Sequence, residues 1–165
     1  MIGRILAGII CCGSIYGAST QQEKLTEYLS TLVAMPTETA DKEENGHALR
    51  WVEDQLSPLG LHFKHESFEG HPTLVITTQD TMTPDLFLVA HIDVVPAQKS
   101  QYKPRIVGSK MYGRGAYDMK MAVACYILLL HELKEHLSEM NIGLMLTSDE
   151  EIGGMKGVKR LLEAG

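Results

Sequence analysis

From Gln21 onward apolar residues recur at three- and four-residue spacing. Leu25, Tyr28, Leu29, Leu32 and Val33 form one stripe, which predicts an amphipathic helix ended by Pro36. A second amphipathic segment, 48–57, carries Trp51, Val52 and Leu56 on its apolar side and is closed by Pro58 and Gly60. Three runs of strand-like composition follow, 61–68, 73–78 and 86–91. The turn-forming residues of 79–84 predict that the second and third runs form a hairpin. Phe87, Leu88, Val89 and Ala90 are apolar without alternation, the pattern of a central strand covered on both faces.

The second half reads differently. Residues 92–116, with Pro96, Pro104, Gly108, Gly113 and Gly115, predict a long loop, and ordered loops of that length are commonly functional. A helix over 118–137 follows. Its stretch 121–130 is uniformly apolar, which predicts burial on most sides. Then come a strand over 141–146, a loop over 148–154 and a helix over 155–163. Strand, helix, strand, helix implies a right-handed crossover and a layered α/β sheet.

At 165 residues, with 44% hydrophobic and 22% charged, the chain has the composition of an ordinary globular domain that needs no disulfide staples. Its 15 Lys and Arg against 21 Asp and Glu leave a net charge of −6 and no basic run, which argues against a nucleic-acid partner. Cys11, Cys12 and Cys125 show no CxxC or zinc-finger spacing, so a thiolate metal site is excluded. Arg4, the apolar stretch 5–12 and small residues through Ser19 have the outline of a secretory signal. The alternative is an N-terminal extension of a cytoplasmic protein, which is the expectation adopted, and the stretch is too short and glycine-interrupted to span a bilayer. Residues 1–20 are therefore set apart from a single unit over 21–165.

The chemistry-bearing residues fall at the ends of predicted elements, where open α/β sheets bind ligands. His91 closes an apolar strand. Asp93, two residues on, shares its side and can accept the proton of the far imidazole nitrogen, fixing a metal-ligating tautomer. Asp149, Glu150 and Glu151 follow the strand over 141–146, and three adjacent carboxylates repel one another unless a cation or solvent relieves them. Asp118 stands at the mouth of the apolar helix, where it serves as an N-cap or as a ligand. Taken singly, each feature is an ordinary one: a hydrogen-bonded His–Asp pair, a cap, a solvated acidic loop. Gly113-Arg114-Gly115 lacks the spacings of nucleotide-binding loops. Jointly, hard oxygen donors and one imidazole suit zinc or a similar divalent ion.

Three segments then take on a common meaning: His91-Ile92-Asp93-Val94-Val95-Pro96, Gly113-Arg114-Gly115-Ala116-Tyr117-Asp118-Met119-Lys120, and Thr147-Ser148-Asp149-Glu150-Glu151-Ile152-Gly153-Gly154. In order and interval they resemble the signature segments of the zinc metallohydrolase family that contains aminoacylase, acetylornithine deacetylase, succinyl-diaminopimelate desuccinylase and glutamate carboxypeptidase. The resemblance runs from about Glu23 to the end of the chain. It implies a three-layer α/β/α sheet of the zinc exopeptidase type, here as the N-terminal part of a catalytic domain. It also implies two Zn2+ ions, with Co2+ or Mn2+ as substitutes. His91 would bind one ion, Asp118 would bridge both, and Glu151 would bind the other. Asp93 would orient His91, and Glu150 would be the general base. The reaction implied is cleavage of an amide bond, in an N-acyl amino acid or small peptide, by attack of a metal-bound water. A cis peptide bond after Asp118 is implied as well. Met121, where the family usually has Gly, and the short 97–103 loop bear on substrate preference.

The family has further ligands, and a smaller dimerising domain, beyond the stretch corresponding to this chain. The expectation is therefore a fragment with part of its site, inactive alone, whose full-length parent is a homodimer. The competing expectation is a non-catalytic metal-binding or interaction remnant; retention of Glu150 favours the enzyme, because a pure binding site has no use for a base.

Overall fold

The computed structural model of the protein describes residues 15–164. The first periodic segment is helix α1, Ile15–Ala34, and the second is α2, Lys42–Leu56. Of the candidate signal segment, residues 1–14 lie outside the described residues and 15–20 belong to α1. Helix α2 begins ahead of the predicted start because Asp41 caps it. The Asp41 carboxylate accepts from the Glu44 N–H at 3.0 Å, and Glu43 and Glu44 sit where a helix N-terminus favours negative charge.

Strands β1 (His62–Phe68), β2 (His71–Thr77) and β3 (Leu86–His91) come next, followed by the short β4 (Arg105–Val107) and β5 (Lys110–Tyr112). Helix α3 (Lys120–Glu132), strand β6 (Ile142–Thr147) and helix α4 (Val158–Ala164) complete the order. The main sheet has four strands in the order β1-β2-β6-β3, with β3 and β6 parallel and the other pairs antiparallel. The strand–helix–strand unit predicted for the second half is therefore β3–α3–β6. Among the described residues no helix is long and apolar enough to cross a membrane.

The hairpin expected between the second and third strand runs does not form. β6 inserts between them, and Thr78 N–H and Asp85 N–H donate to Ile142 O and Asn141 O rather than to each other's strand. The antiparallel hairpin is β1–β2 instead. β6 wins the central place because its residues are apolar on both faces, all of 143–147 being buried. It is also slim at one point: a Cβ on Gly143 would stand 2.4 Å from the Phe87 ring, so only glycine lets β3 approach this closely. A second expectation also fails. β3, read as a central strand, lies at the edge, and Leu86 and Val89 are exposed.

The sheet separates two apolar layers. Leu74, Ile76, Ala90, Leu144 and Leu146 pack under α1, α2 and α3 in the main core. Val75 and Met145, one residue out of phase, meet Leu161 and Val158 of α4 on the opposite face. The result is a three-layer α/β/α arrangement with one thick and one thin helical layer. Helix α3 is buried only on the side carrying Val123, Ala124, Ile127 and Leu130; Met121 and Leu129 reach solvent, so its uniform apolarity does not mark burial all round. The segment predicted as one long loop is partly regular. It contains β4, β5 and a short helical turn, Lys99–Tyr102.

Candidate metal centre

His91 is the last residue of β3, and pairing with β6 continues one step further through Ile92 N–H to Thr147 O at 2.8 Å. This extension carries Asp93 into the interior, where its side chain is fully buried. Asp118 arrives from the opposite direction, at the turn before α3. The Asp118–Met119 peptide bond is cis, as the resemblance implied. The turn depends on Gly115, whose φ is +76° and whose missing Cβ leaves room for Val94 and the Lys120 stem. Asp118 is not the helix cap: α3 is preceded by Met119, with no side-chain cap, and the Asp118 carboxylate faces His91 instead. Glu150 and Glu151 lie on a single helical turn, Glu150–Ile152, directly after β6.

These segments converge at one end of the β3–β6 pair. His91 Nε2 lies 3.1 Å from Asp118 Oδ1 and 3.6 Å from Glu150 Oε2. One donor atom from each of His91, Asp118 and Glu151 falls within 4.8 Å of the others. The other ring nitrogen, Nδ1, faces Asp93, at 3.0 Å from its backbone carbonyl and 3.3 Å from its carboxylate Oδ1. The shorter of the two contacts is to the main chain, so the ring is held by both parts of Asp93. The carboxylate has other work. Its Oδ1 also accepts from the Glu150 N–H at 3.2 Å, while its Oδ2 accepts from the Glu151 N–H at 3.3 Å and the Thr39 hydroxyl at 2.8 Å.

The electrostatics follow from this arrangement. Burial works against a charged His91 and is the largest single influence, yet the hydrogen bonds and charge of Asp93, with Asp118, push its pKa up to about 9. Burial likewise disfavours the Asp93 anion, but His91, Thr39 and the Glu151 amide outweigh it and hold the carboxyl below its ordinary range. Glu151 is raised, by burial first and then by the charges of Asp118 and Asp93. A cluster in which an imidazole binds a proton tightly and carboxylates crowd one another is a site that a cation would relieve. The donor set, one nitrogen and hard oxygens with the second ring nitrogen already engaged, fits zinc or a similar divalent ion.

One acidic residue does not join. Asp149, grouped with Glu150 and Glu151 by sequence, turns away and is fully buried, its Oδ2 accepting from Lys156 N–H at 2.7 Å and Gly157 N–H at 3.0 Å. It ties the loop after the site to the sheet, which lessens the repulsion expected of three consecutive acids. Conversely, Thr39 and Glu38 take part in the site's surroundings without any pattern that singled them out, and so does Lys120, which closes the second signature segment without an implied role there. The Glu38 carboxylate accepts from Tyr102 OH at 2.8 Å and Ala97 N–H at 3.3 Å, fastening the loop beside the site. Lys120 is fully buried, and its Nζ donates to Leu32 O and Met35 O at the end of α1.

A layered α/β core carries this cluster at its strand ends, the place where such sheets bind ligands. The sequence model of the peptidase family M20/M25/M40 matches residues 87–165, and the chain is similar to that family over this stretch; the M20 family is metal-dependent. Among curated relatives, the succinyl-diaminopimelate desuccinylase of Thioalkalivibrio sulfidiphilus is 30% identical over 128 residues, covering 73% of this chain and 34% of the relative. That of Rickettsia akari is 30% identical over 149 residues, covering 82% of this chain and 38% of the relative. Human carnosine dipeptidase 1 shares the fold with a TM-score of 0.75 at 21% identity, over 88% of this chain and 36% of that one. An M20-family metallo-carboxypeptidase from Sulfolobus solfataricus shares it with a TM-score of 0.62 at 23% identity, over 86% and 34%. The chain thus spans about a third of the length of the curated relatives it matches.

Proposed function

We propose that this chain supplies the water-activating part of a zinc-dependent amidohydrolase or exopeptidase that cleaves an amide bond of an N-acyl amino acid or small peptide. The observation that carries the reading is the convergence of His91, Asp118 and Glu151 donor atoms within 4.8 Å, with Glu150 beside the same imidazole nitrogen. In this reading His91, Asp118 and Glu151 hold the metal, and Asp118, reaching both flanking donors, is placed to be shared between two ions. Bound metal supplies Lewis acidity toward the scissile carbonyl and a nucleophilic water at neutral pH. Glu150, adjacent to a ligand yet free to move, takes the proton as the water oxygen bonds to the carbonyl carbon. The same carboxyl returns that proton to the amide nitrogen as the carbon–nitrogen bond breaks, so acid and amine leave without net consumption of base. Asp93 keeps the His91 ring oriented throughout. The desuccinylase relatives favour an N-acyl amino acid over a longer peptide as the substrate.

The test uses the longest chain the gene encodes beside the 165-residue chain. After chelation and reloading with zinc, the longer protein is expected to hydrolyse members of a panel of N-acyl amino acids and dipeptides, and to lose that activity on renewed chelation. The 165-residue chain alone is expected to be nearly inactive. Hydrolysis that persists unchanged without metal would overturn the reading, and a longer chain that binds zinc but cleaves nothing in the panel would favour a metal-binding remnant.

A further inference from the structure

Asp93 is the point at which two of the three donor-bearing segments meet. Its two oxygens have about four acceptor positions, and the structure fills them with His91 Nδ1, Glu150 N–H, Glu151 N–H and the Thr39 hydroxyl. The first three donors belong to the groups that must be placed. Thr39 alone among these comes from elsewhere in the fold, the segment after α1.

That segment is itself well anchored. Thr39 N–H donates to Val94 O at 3.2 Å, Val94 N–H to Thr37 O at 2.9 Å, and the Thr37 hydroxyl to Ile92 O at 2.7 Å. Glu38 and Val94 form a parallel bridge, and Asn45 Nδ2 donates to Glu38 O at 2.8 Å. The strap therefore stays in place without the Thr39 hydroxyl, which is nearly enclosed and spends its hydrogen bond on Asp93. A hydroxyl not needed to hold its own backbone, donating at 2.8 Å to a carboxylate that grips three site groups, sets the orientation of that carboxylate. We propose that Thr39 is a positioning residue of the metal centre, fixing through Asp93 both the His91 ring and the Glu150–Glu151 turn. The proposal rests on the hydrolase reading above, but its first readout does not.

The experiment compares Thr39→Val, which keeps shape and removes the hydroxyl, with Thr39→Ser, which keeps the hydroxyl and removes the methyl group. Thr39→Ala replaces the valine variant should that one fail to fold. In metal-free protein labelled with 15N-histidine, the His91 Nδ1–H resonance is expected to shift or broaden in Thr39→Val and to return in Thr39→Ser. In the longer chain, zinc affinity by chelator competition is expected to fall about 10–100-fold in Thr39→Val, with kcat lowered and KM nearly unchanged, and Thr39→Ser restoring both. An unmoved resonance with unchanged affinity in Thr39→Val would overturn the proposal. So would a serine variant that behaves like the valine one, because the methyl packing would then be the cause. If the resonance responds while the longer chain binds no zinc, the positioning stands and the hydrolase reading fails.

Discussion

His91 and Asp93 expose 3% and 0% of their side chains, whereas Asp118 and Glu150, across the same site, expose 71% and 56%. The nitrogen donor is therefore set before any ligand arrives: its ring is clamped by Asp93, and Asp93 by Thr39 and two backbone amides. The carboxylates opposite touch His91 but stay largely exposed, where water screens their mutual repulsion. The two halves of the site separate direction from charge. In the proposed reading, one would fix where a cation sits, and the other would supply anionic oxygens that can rearrange around it and around a reacting carbonyl.

The sharpest way to break this comparison is within the open half. Glu150→Gln in the longer chain is expected to lower turnover about 100–10,000-fold with metal content near normal, because a base is not a ligand. Glu151→Ala is expected to reduce metal content itself. Metal stoichiometry measured beside turnover separates the two, and equal metal loss in both variants would mean that their roles are misassigned. On the clamped side, Asp93→Asn keeps the shape but weakens the grip on the ring, and metal affinity is expected to fall about 10–100-fold. If the clamped half matters no more than the open tips, chelator competition will show no change.

Two buried groups at and beside the site bear on proton binding, with effects of opposite sign. In metal-free protein His91, faced by Asp93, Asp118 and Glu150, is pushed up from 6.5 to about 9. Its contribution to stability is fully present below its unfolded value and is lost as pH rises toward 9. Lys120 is the reverse case. Burial lowers its pKa from 10.5 to about 7, against the opposing charges of Glu44 and Asp93, so the unfolded chain binds more protons between those values and stability rises with pH there. Denaturant titrations from pH 6 to 10 are expected to show the two offsetting each other between about 7 and 9 and a rise above 9. Lys120→Met is expected to leave only the fall between 6.5 and 9 that His91 causes. Zinc must displace the His91 proton, so its affinity is expected to strengthen as pH rises toward 9. The smallest effect is expected at Tyr102, whose OH, raised to about 12 by burial and by Glu38, donates to that carboxylate. Tyr102→Phe removes one hydrogen bond, about 1–2 kcal/mol of stability, and leaves metal affinity unchanged.

The sequence displayed the parts of this molecule that local chemistry controls. The α1 stripe, the β3–α3–β6 order and the positions of His91, Asp118, Glu150 and Glu151 at element ends all follow from periodicity and from residues that stand near one another in the chain. What it concealed was long-range. Nothing in residues 73–91 announces that β6, more than fifty residues later, takes the place between them. Leu86 and Val89 look like interior residues because composition does not say which strand is at the edge. Thr39 carries no local signal, and only the folded chain brings its hydroxyl to Asp93 across an interval of 54 residues. Asp149 differs from its neighbours for a related reason: three adjacent acids share a stretch of sequence but not a direction.

The lysine under α1 has a practical consequence. Its Nζ is closed in by the carbonyls of Leu32 and Met35, at 2.9 and 2.7 Å, and the residue has no solvent exposure. The Lys120 amine therefore cannot reach an acylating reagent while the helix end stays seated, although exposed lysines such as Lys134 are open to it. Acylation of Lys120, followed by peptide mass spectrometry, becomes a clock for the lifting of α1 from the turn that carries Asp118. Its rate reports how often this corner opens under native conditions, without a spectroscopic label or a substrate.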